Sequence, residues 1–340
     1  MKLIKTEEAV GHVLCHDMTQ IIPGVYKDAR FRKGHVVTEA DIPVLLAMGK
    51  EHLYVWEKTA GMLHEDEAAR RLCGLCVNDH MHETPVKEGK IELIAGADGL
   101  FVVDVDRLNA VNAVGEVMIA TRRTHTPVRA GDRLAGMRVI PLVIGQEVLD
   151  RAKAAAGDAP LLKILPFKRK TAAIIATGSE VAKGLIEDRF TPVVKEKLAA
   201  FGIETISVAL AGDDRDRICA EILKAREAGA ELICCTGGMS VDPDDRTPGA
   251  IAQSGVRVVT YGAPVLPGAM FCLGYFDDGT PVVGLPGCVM YAKTTILDVA
   301  LPRIAADVPM TRADFARMGH GGLCLNCEAC RYPVCALGMG

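Results

Sequence analysis

The polar and apolar positions change rhythm near residue 170. From 171 onward a short apolar run ends at a glycine or turn, a stretch with apolar residues at helical spacing follows, and the pattern then repeats. The runs at 171–176, 205–210, 231–235 and 256–261 predict strands, and 191–201, 214–228 and 289–300 predict helices. Strands alternating with helices of this length imply βαβ units, hence an α/β fold with a doubly wound, mostly parallel sheet covered on both faces. Ligands of such sheets sit beyond the carboxyl ends of the strands.

Upstream the pattern predicts a smaller α+β, β-rich region. Between 86 and 144, strand-length segments are separated by Gly-Ala-Asp-Gly and Ala-Gly-Asp turns. Apolar residues at 68, 69, 72, 73 and 76 predict a helix over 65–76 with one buried face. Residues 1–60 hold short strand pieces such as 52–55 and a helix capped by Thr38, with Glu39 and Asp41 in its first turn and Gly49 near its end. Asp158, Ala159 and Pro160, with the basic stretch 168–170, predict a linker. The expected organisation is therefore an N-terminal segment 1–60, a helix plus small β-rich domain 61–165, an α/β domain 166–310 and a cysteine-rich tail 311–340.

Composition narrows this picture. In 340 residues, 49% hydrophobic and 24% charged side chains mark a globular chain of more than one domain, and 4% aromatics leave Val, Ile, Leu and Ala to fill the core. Lys plus Arg number 39 against 43 Asp plus Glu, a net charge of -4, which gives no diffuse basic face for nucleic acid or an anionic membrane. Charges within the first eight residues and the lack of a long apolar window predict no signal peptide, no membrane span and a cytoplasmic protein. Twelve cysteines in a reducing compartment are expected to be free thiols or metal ligands.

Three loops follow the predicted strands. The first supplies Thr177, Gly178, Ser179 and Glu180, with Asp188 further on. The second supplies Thr236, Gly237, Gly238 and Ser240, then Asp242, Asp244 and Asp245. The third region holds Pro267 and Gly268, with Leu285, Pro286 and Gly287 opening the last helix. Glycine-rich strand-to-helix turns offer backbone N–H groups to an anion, and nearby carboxylates tolerate phosphate when a cation such as Mg²⁺ lies between.

The sequences TGSE at 177–180, TGGMS-x-x-P-x-D at 236–245 and GLPG at 284–287 resemble, in order and spacing, the molybdopterin-binding domain of MoeA-, MogA- and CinA-type proteins. The resemblance is strong over 171–305 and looser at the N-terminus, where the chain is similar to the opening segment of MoeA-type proteins. It implies that Thr177, Gly178, Ser179, Thr236, Gly237, Gly238, Ser240, Pro267, Gly268, Pro286 and Gly287 hold the phosphate of molybdopterin or of its adenylylated form. It further implies that Asp245, Glu180, Asp242 and Asp188 place Mg²⁺ and water for molybdate insertion with release of AMP. A carrier or redox-sensing module without catalysis, or a CinA-like nucleotide hydrolase, would use the same loops. The family also implies a homodimer, and a molybdoenzyme is a candidate partner. Ala269 stands where the MoeA type has a lysine, Cys288 and Val289 stand where it has Asn-Pro, and no M-D-G-[YF]-A segment is present.

Cys324, Cys327, Cys330 and Cys335 are spaced x2, x2, x4 on a glycine-flanked segment, a pattern that can converge on an iron–sulfur cluster or a zinc ion. Cys73, Cys76, His80 and His82 also have ligand spacing, but the first two fall on the apolar face of the 65–76 helix and are expected to be packing. Cys234 and Cys235 lie within a core strand. Cys288, at the opening of the last helix, is either inert or a thiol whose pKa the helix N-terminus lowers.

Overall fold

Side chains of a strand alternate between its two faces, and a strand buried on both must be apolar throughout. Thr171–Ala176 (β1) meets that condition from Ala172 onward. Its Ala172 and Ile174 enter one core cluster, and Ala173 and Ile175 enter another. In the computed structural model β1 lies inside a six-stranded sheet, and the structure describes residues 2–55, 60–178, 187–240, 242 and 245–338.

The elements that follow are α1 (Phe190–Ala199), β2 (Glu204–Leu210), α2 (Arg215–Glu227), β3 (Ile233–Thr236) and α3 (Thr247–Gln253). Then come β4 (Arg257–Tyr261), β5 (Cys272–Tyr275), β6 (Pro281–Leu285), α4 (Ile296–Ala305) and α5 (Arg312–Arg317). The strand order is β2-β1-β3-β6-β5-β4. β1 pairs parallel with β2 and β3, and β3 pairs parallel with β6, whereas β5 runs antiparallel to both β6 and β4. The sheet is mostly parallel, as the strand–helix rhythm predicts. Cys234 and Cys235 fall on opposite faces of β3 and are fully buried, in the packing role expected of them.

Three features of this region depart from the sequence pattern. The antiparallel pair β5 and β6 was not legible as strands, and the helix expected over 289–300 begins only at Ile296. Thr295 caps α4, its side chain accepting from Leu297 N, while its own backbone N–H and hydroxyl donate to Asp298 Oδ2 at 2.7 and 3.2 Å. A 3₁₀ turn, Gly287–Met290, occupies the first part of the predicted helix. The basic stretch 168–170 is likewise no free linker. Arg169 donates to Glu231 O at 2.7 Å, Gly279 O at 2.9 Å and Asp307 Oδ1 at 2.6 Å, and Lys168 N donates to Ala305 O.

Backbone proximity divides the chain into two units. One comprises 1–96, 103–124 and 130–163, and the other 97–102, 125–129 and 164–340, so the cysteine tail belongs with the sheet. The first unit holds a four-stranded antiparallel sheet of Met81–Glu83, Ile91–Ala95, Arg133–Val139 and Val117–Thr121. Its helix Glu65–Gly74 buries Ala68, Ala69, Leu72 and Cys73, the face the spacing predicts. Cys73 donates to Glu83 Oε2 at 3.2 Å, and burial holds the Cys73 and Cys76 thiols up at about 12, which makes them packing groups. Thr38, the expected cap, forms a capping box with Asp41 ahead of Ile42–Ala47. Among the described residues no helix is long and apolar enough to cross a membrane.

Candidate functional site

Strand register carries the three loops to one edge. Ala176, Thr236 and Leu285 lie abreast, so Thr177, Gly237 and Pro286 leave β1, β3 and β6 side by side. Tyr261 pairs with Cys272, and Cys272 with Gly284, which turns residues 262–271 at the same edge. The chain places β2 on one side of β1 and β3 on the other. The gap between the carboxyl ends of β1 and β3 is therefore a topological switch point, the crevice in which open α/β sheets take ligands.

Buried threonines tie the first two loops together. Thr177 is 5% exposed; its backbone N–H and its hydroxyl both donate to Thr236 O at 2.8 Å. Its Oγ1 lies 3.2 Å from Oγ1 of Thr247, the first residue of α3, which donates to Gly237 O at 3.0 Å. The intervening turn has φ of +86° at Gly237 and +56° at Gly238. A Cβ on Gly237 would stand 2.7 Å from Thr177 O, and one on Gly238 2.6 Å from Thr247 Oγ1. Only glycine fits this close approach, and glycine-rich turns of this kind can offer main-chain N–H groups to an anion. At the far end of the turn Tyr261 OH donates to Met239 O at 3.1 Å and Ser240 O at 3.3 Å. Burial, with Cys272 and Asp245 nearby, pushes the Tyr261 phenol up, so it remains a neutral donor.

Residues 173–306 match the family described as a probable molybdopterin binding domain. This segment is a domain of that family. The sequence is similar to a CinA-like protein of Mycobacterium tuberculosis, 33% identical over 82 residues, which span 24% of this chain and 19% of the relative. A CinA-like protein of Mycobacterium leprae is 32% identical over 82 residues, again 24% of this chain and 19% of the relative. The match thus spans about a fifth of the length of these curated relatives. Among solved structures the chain resembles the protein CinA from Thermoplasma acidophilum, at 18% identity and TM-score 0.35 over 40% of this chain and 98% of that one. It also resembles the tungsten cofactor synthesizing protein MoaB from Pyrococcus furiosus, at 21% identity and TM-score 0.35 over 40% of this chain and 93% of that one. Residues 3–57 match a second family, described only as a domain of unknown function.

The molybdopterin-binding domain brings together some of the expected residues and assigns others elsewhere. Thr177, Gly178, Thr236, Gly237, Gly238, Pro286 and Gly287 start the adjacent loops. Pro267 and Gly268 lie in the 262–271 turn, where Pro267 O accepts from Ile296 N at 3.2 Å. Asp242 and Asp245 share one turn, Asp245 N donating to Asp242 O at 2.9 Å. Ser179, Glu180 and Asp244 lie outside the described residues. Asp188 lies just ahead of α1: its Oδ1 accepts from Phe190 N and Thr191 N, and its Oδ2 accepts from the Thr191 hydroxyl. That carboxylate is engaged in helix capping. Cys288 is half-exposed and burial raises its thiol, so the lowered pKa considered for it is not found; a 3₁₀ turn of four residues supplies too small a dipole.

Two further residues join this site, Thr247 and Tyr261. Thr247 sits two residues past Asp245 in the same motif, a signal that was available. Tyr261 ends the edge strand β4, and nothing in the local pattern marks it.

The four tail cysteines line one cavity of about 600 Å³ together with Pro267 and Lys293. Cys324 is half-buried against the core of the domain, while Cys327, Cys330 and Cys335 are exposed. Among the described residues no three His, Cys, Asp or Glu side chains stand together as a metal-ligand group. The tail thiols share a cavity without closing on one point. A hydrogen bond from the Thr294 hydroxyl, 3.1 Å away, and another from the Tyr332 backbone lower the Cys330 thiol.

Proposed function

We propose that the carboxyl edge of β1, β3 and β6 binds the phosphate of molybdopterin or of adenylylated molybdopterin, and that the protein acts in molybdenum cofactor synthesis. The joining of Thr177, Thr236 and Thr247 around the Gly237–Gly238 turn carries this reading. A glycine-lined turn at a switch point, in a segment that matches a molybdopterin-binding family, supports its use as an anion cradle. Backbone N–H groups of the turn and the Ser240 hydroxyl would meet phosphate oxygens, and Tyr261 would hold the turn in place.

In its catalytic form the reading is Mg²⁺-dependent molybdate insertion with release of AMP. Asp242 and Asp245 would supply hard-oxygen donors suited to Mg²⁺, and Glu180 would add a third. With Ala269 and Cys288 in place of a cation and an amide, charge on the phosphate would be met mainly by the turn and the metal. At the tail cysteines the proposed group is an iron–sulfur cluster or zinc. A cytoplasmic homodimer that passes cofactor to a molybdoenzyme completes the reading.

Purified protein mixed with adenylylated molybdopterin, Mg²⁺ and molybdate tests it. Tight binding with AMP release is expected of the enzyme, and binding without release of the carrier. If neither occurs, the reading is wrong. A second reading, a CinA-like nucleotide hydrolase, draws on the CinA-like relatives. It requires AMP release from a dinucleotide without any pterin present.

A further inference from the structure

The cysteine tail is fastened to the third loop. Leu266 N donates to Gly322 O at 2.8 Å, Cys324 N donates to Leu266 O at 2.8 Å, and Leu266 and Leu323 form a parallel bridge. A side chain at Gly322 would collide with Pro264 O, so the two segments approach this closely only through glycine. Further along, Lys293 Nζ donates to Glu328 O at 2.8 Å, Tyr332 OH donates to Asp298 O at 2.8 Å, and Gly338 N returns to Gly321 O at 2.9 Å. Leu337, 3% exposed, anchors the far end in the core. The tail thus lies across the loop residues Leu266 and Pro267 and the approach to α4, and its four thiols line the cavity in between.

Cavity chemistry suits a thiophilic metal. Four thiolates around Zn²⁺, or around a cluster whose core charge is +2, leave a net charge of about −2. Two cations, Lys293 and Arg331, line the same cavity. The Thr294 hydroxyl stands 3.1 Å from Cys330 Sγ, in place to donate to a ligating sulfur. Cys324 is the half-buried anchor, and ligation would draw the exposed Cys327, Cys330 and Cys335, which share the cavity without converging, toward it.

We propose that one metal centre ligated by Cys324, Cys327, Cys330 and Cys335 locks the tail over the third loop, so that loading of the centre sets how firmly Leu266 and Pro267 are held. On ligation each thiol releases its proton to solvent, and no oxidant or reductant is consumed. Because Cys324 N donates to Leu266 O, fixing the Cys324 sulfur opposes opening of the backbone bond between tail and loop. The proposal rests on reading the tail as a metal centre and gives the pterin-site loop a regulator.

The test uses the full chain, reconstituted anaerobically with ferrous iron and sulfide, or with zinc, and compared with chelated protein and with Cys327→Ser and Cys335→Ser. About one zinc, or about two to four irons with matching sulfide, is expected per chain, falling at least tenfold in either variant. Backbone amides of Leu266 and Cys324 should exchange with deuterium at least ~10-fold more slowly in the loaded form. Absence of thiol-dependent metal, or metal binding with unchanged exchange at both amides, overturns the proposal. The exchange readout needs no pterin, so failure of pterin binding and failure of the clasp are seen separately. Unchanged exchange in the core strands β1 and β3 of each variant shows that the fold is intact.

Discussion

Gly237 is the residue at which the candidate site is most sensitive. Its φ of +86° and the 2.7 Å approach of a would-be Cβ to Thr177 O act together. Gly237→Ala should destabilise the protein by about 1–3 kcal/mol in urea unfolding and abolish pterin binding, because the turn must move to relieve the collision. Thr247→Val is a gentler probe. It removes the hydroxyl that donates to Gly237 O and leaves that carbonyl short of a partner, a loss of about 1–2 kcal/mol. A five- to twentyfold weaker pterin affinity is expected by titration. Thr247→Ser, which keeps the hydroxyl, should restore most of it. Equal affinity of the valine variant and the native protein would remove the threonine link from the site.

At the scale of the element, cysteine position decides cysteine chemistry. Cys15, Cys73, Cys76, Cys219, Cys234, Cys235 and Cys272 are buried, whereas Cys327, Cys330 and Cys335 are exposed. Metal-free native protein treated with a maleimide should label at those three sites within minutes, and at the seven buried ones only after unfolding; rapid labelling of Cys234 or Cys235 would contradict the burial of β3. The same burial sets a pH dependence. Cys73, Cys76, Cys234 and Cys272 stay protonated when folded up to about 12 against an ordinary value of 9.0. Unfolded thiols release their protons above that ordinary value, so the contribution to stability is complete below pH 9 and is lost as pH rises toward 12. The midpoint for urea unfolding should fall progressively from pH 9 to 11, and less steeply in a Cys73→Ala, Cys272→Ala double variant compared at its own stability.

On the scale of the whole molecule, the sheet-bearing unit is discontinuous in sequence. It includes 97–102 and 125–129 as well as 164–340. Gly99–Val103 pairs with Thr126–Val128, and Leu100, Phe101 and Val128 are no more than 2% exposed. Burying each such side chain stabilises by about 1.5–3 kcal/mol. A fragment of residues 164–340 therefore lacks apolar surface that its own unit buries. It should unfold at a lower urea concentration than the same sheet in the full chain, read by exchange at β1 and β3. Coincident midpoints would show that the two early segments add nothing to that unit.

What the sequence by itself determined is what short-range physics encodes. Strand-length apolar runs at β1 and β3, helical spacing at 65–76, the capping residues Thr38 and Asp41, and the glycine-rich turns after strands depend only on neighbours along the chain. From these the α/β sheet and two of its loops were legible, and motif resemblance supplied the ligand class. The antiparallel β5 and β6 were not legible, because short apolar runs around glycine carry no period that separates strand from loop. The tertiary structure alone decided which groups meet. Register set Ala176, Thr236 and Leu285 abreast, α3 brought Thr247 against Thr177, and β4 brought Tyr261 onto the Met239–Ser240 turn. It likewise laid the tail along Leu266. Each of these is a long-range contact, made by packing that buries apolar surface from distant parts of the chain, and no local pattern records which partner that packing will supply.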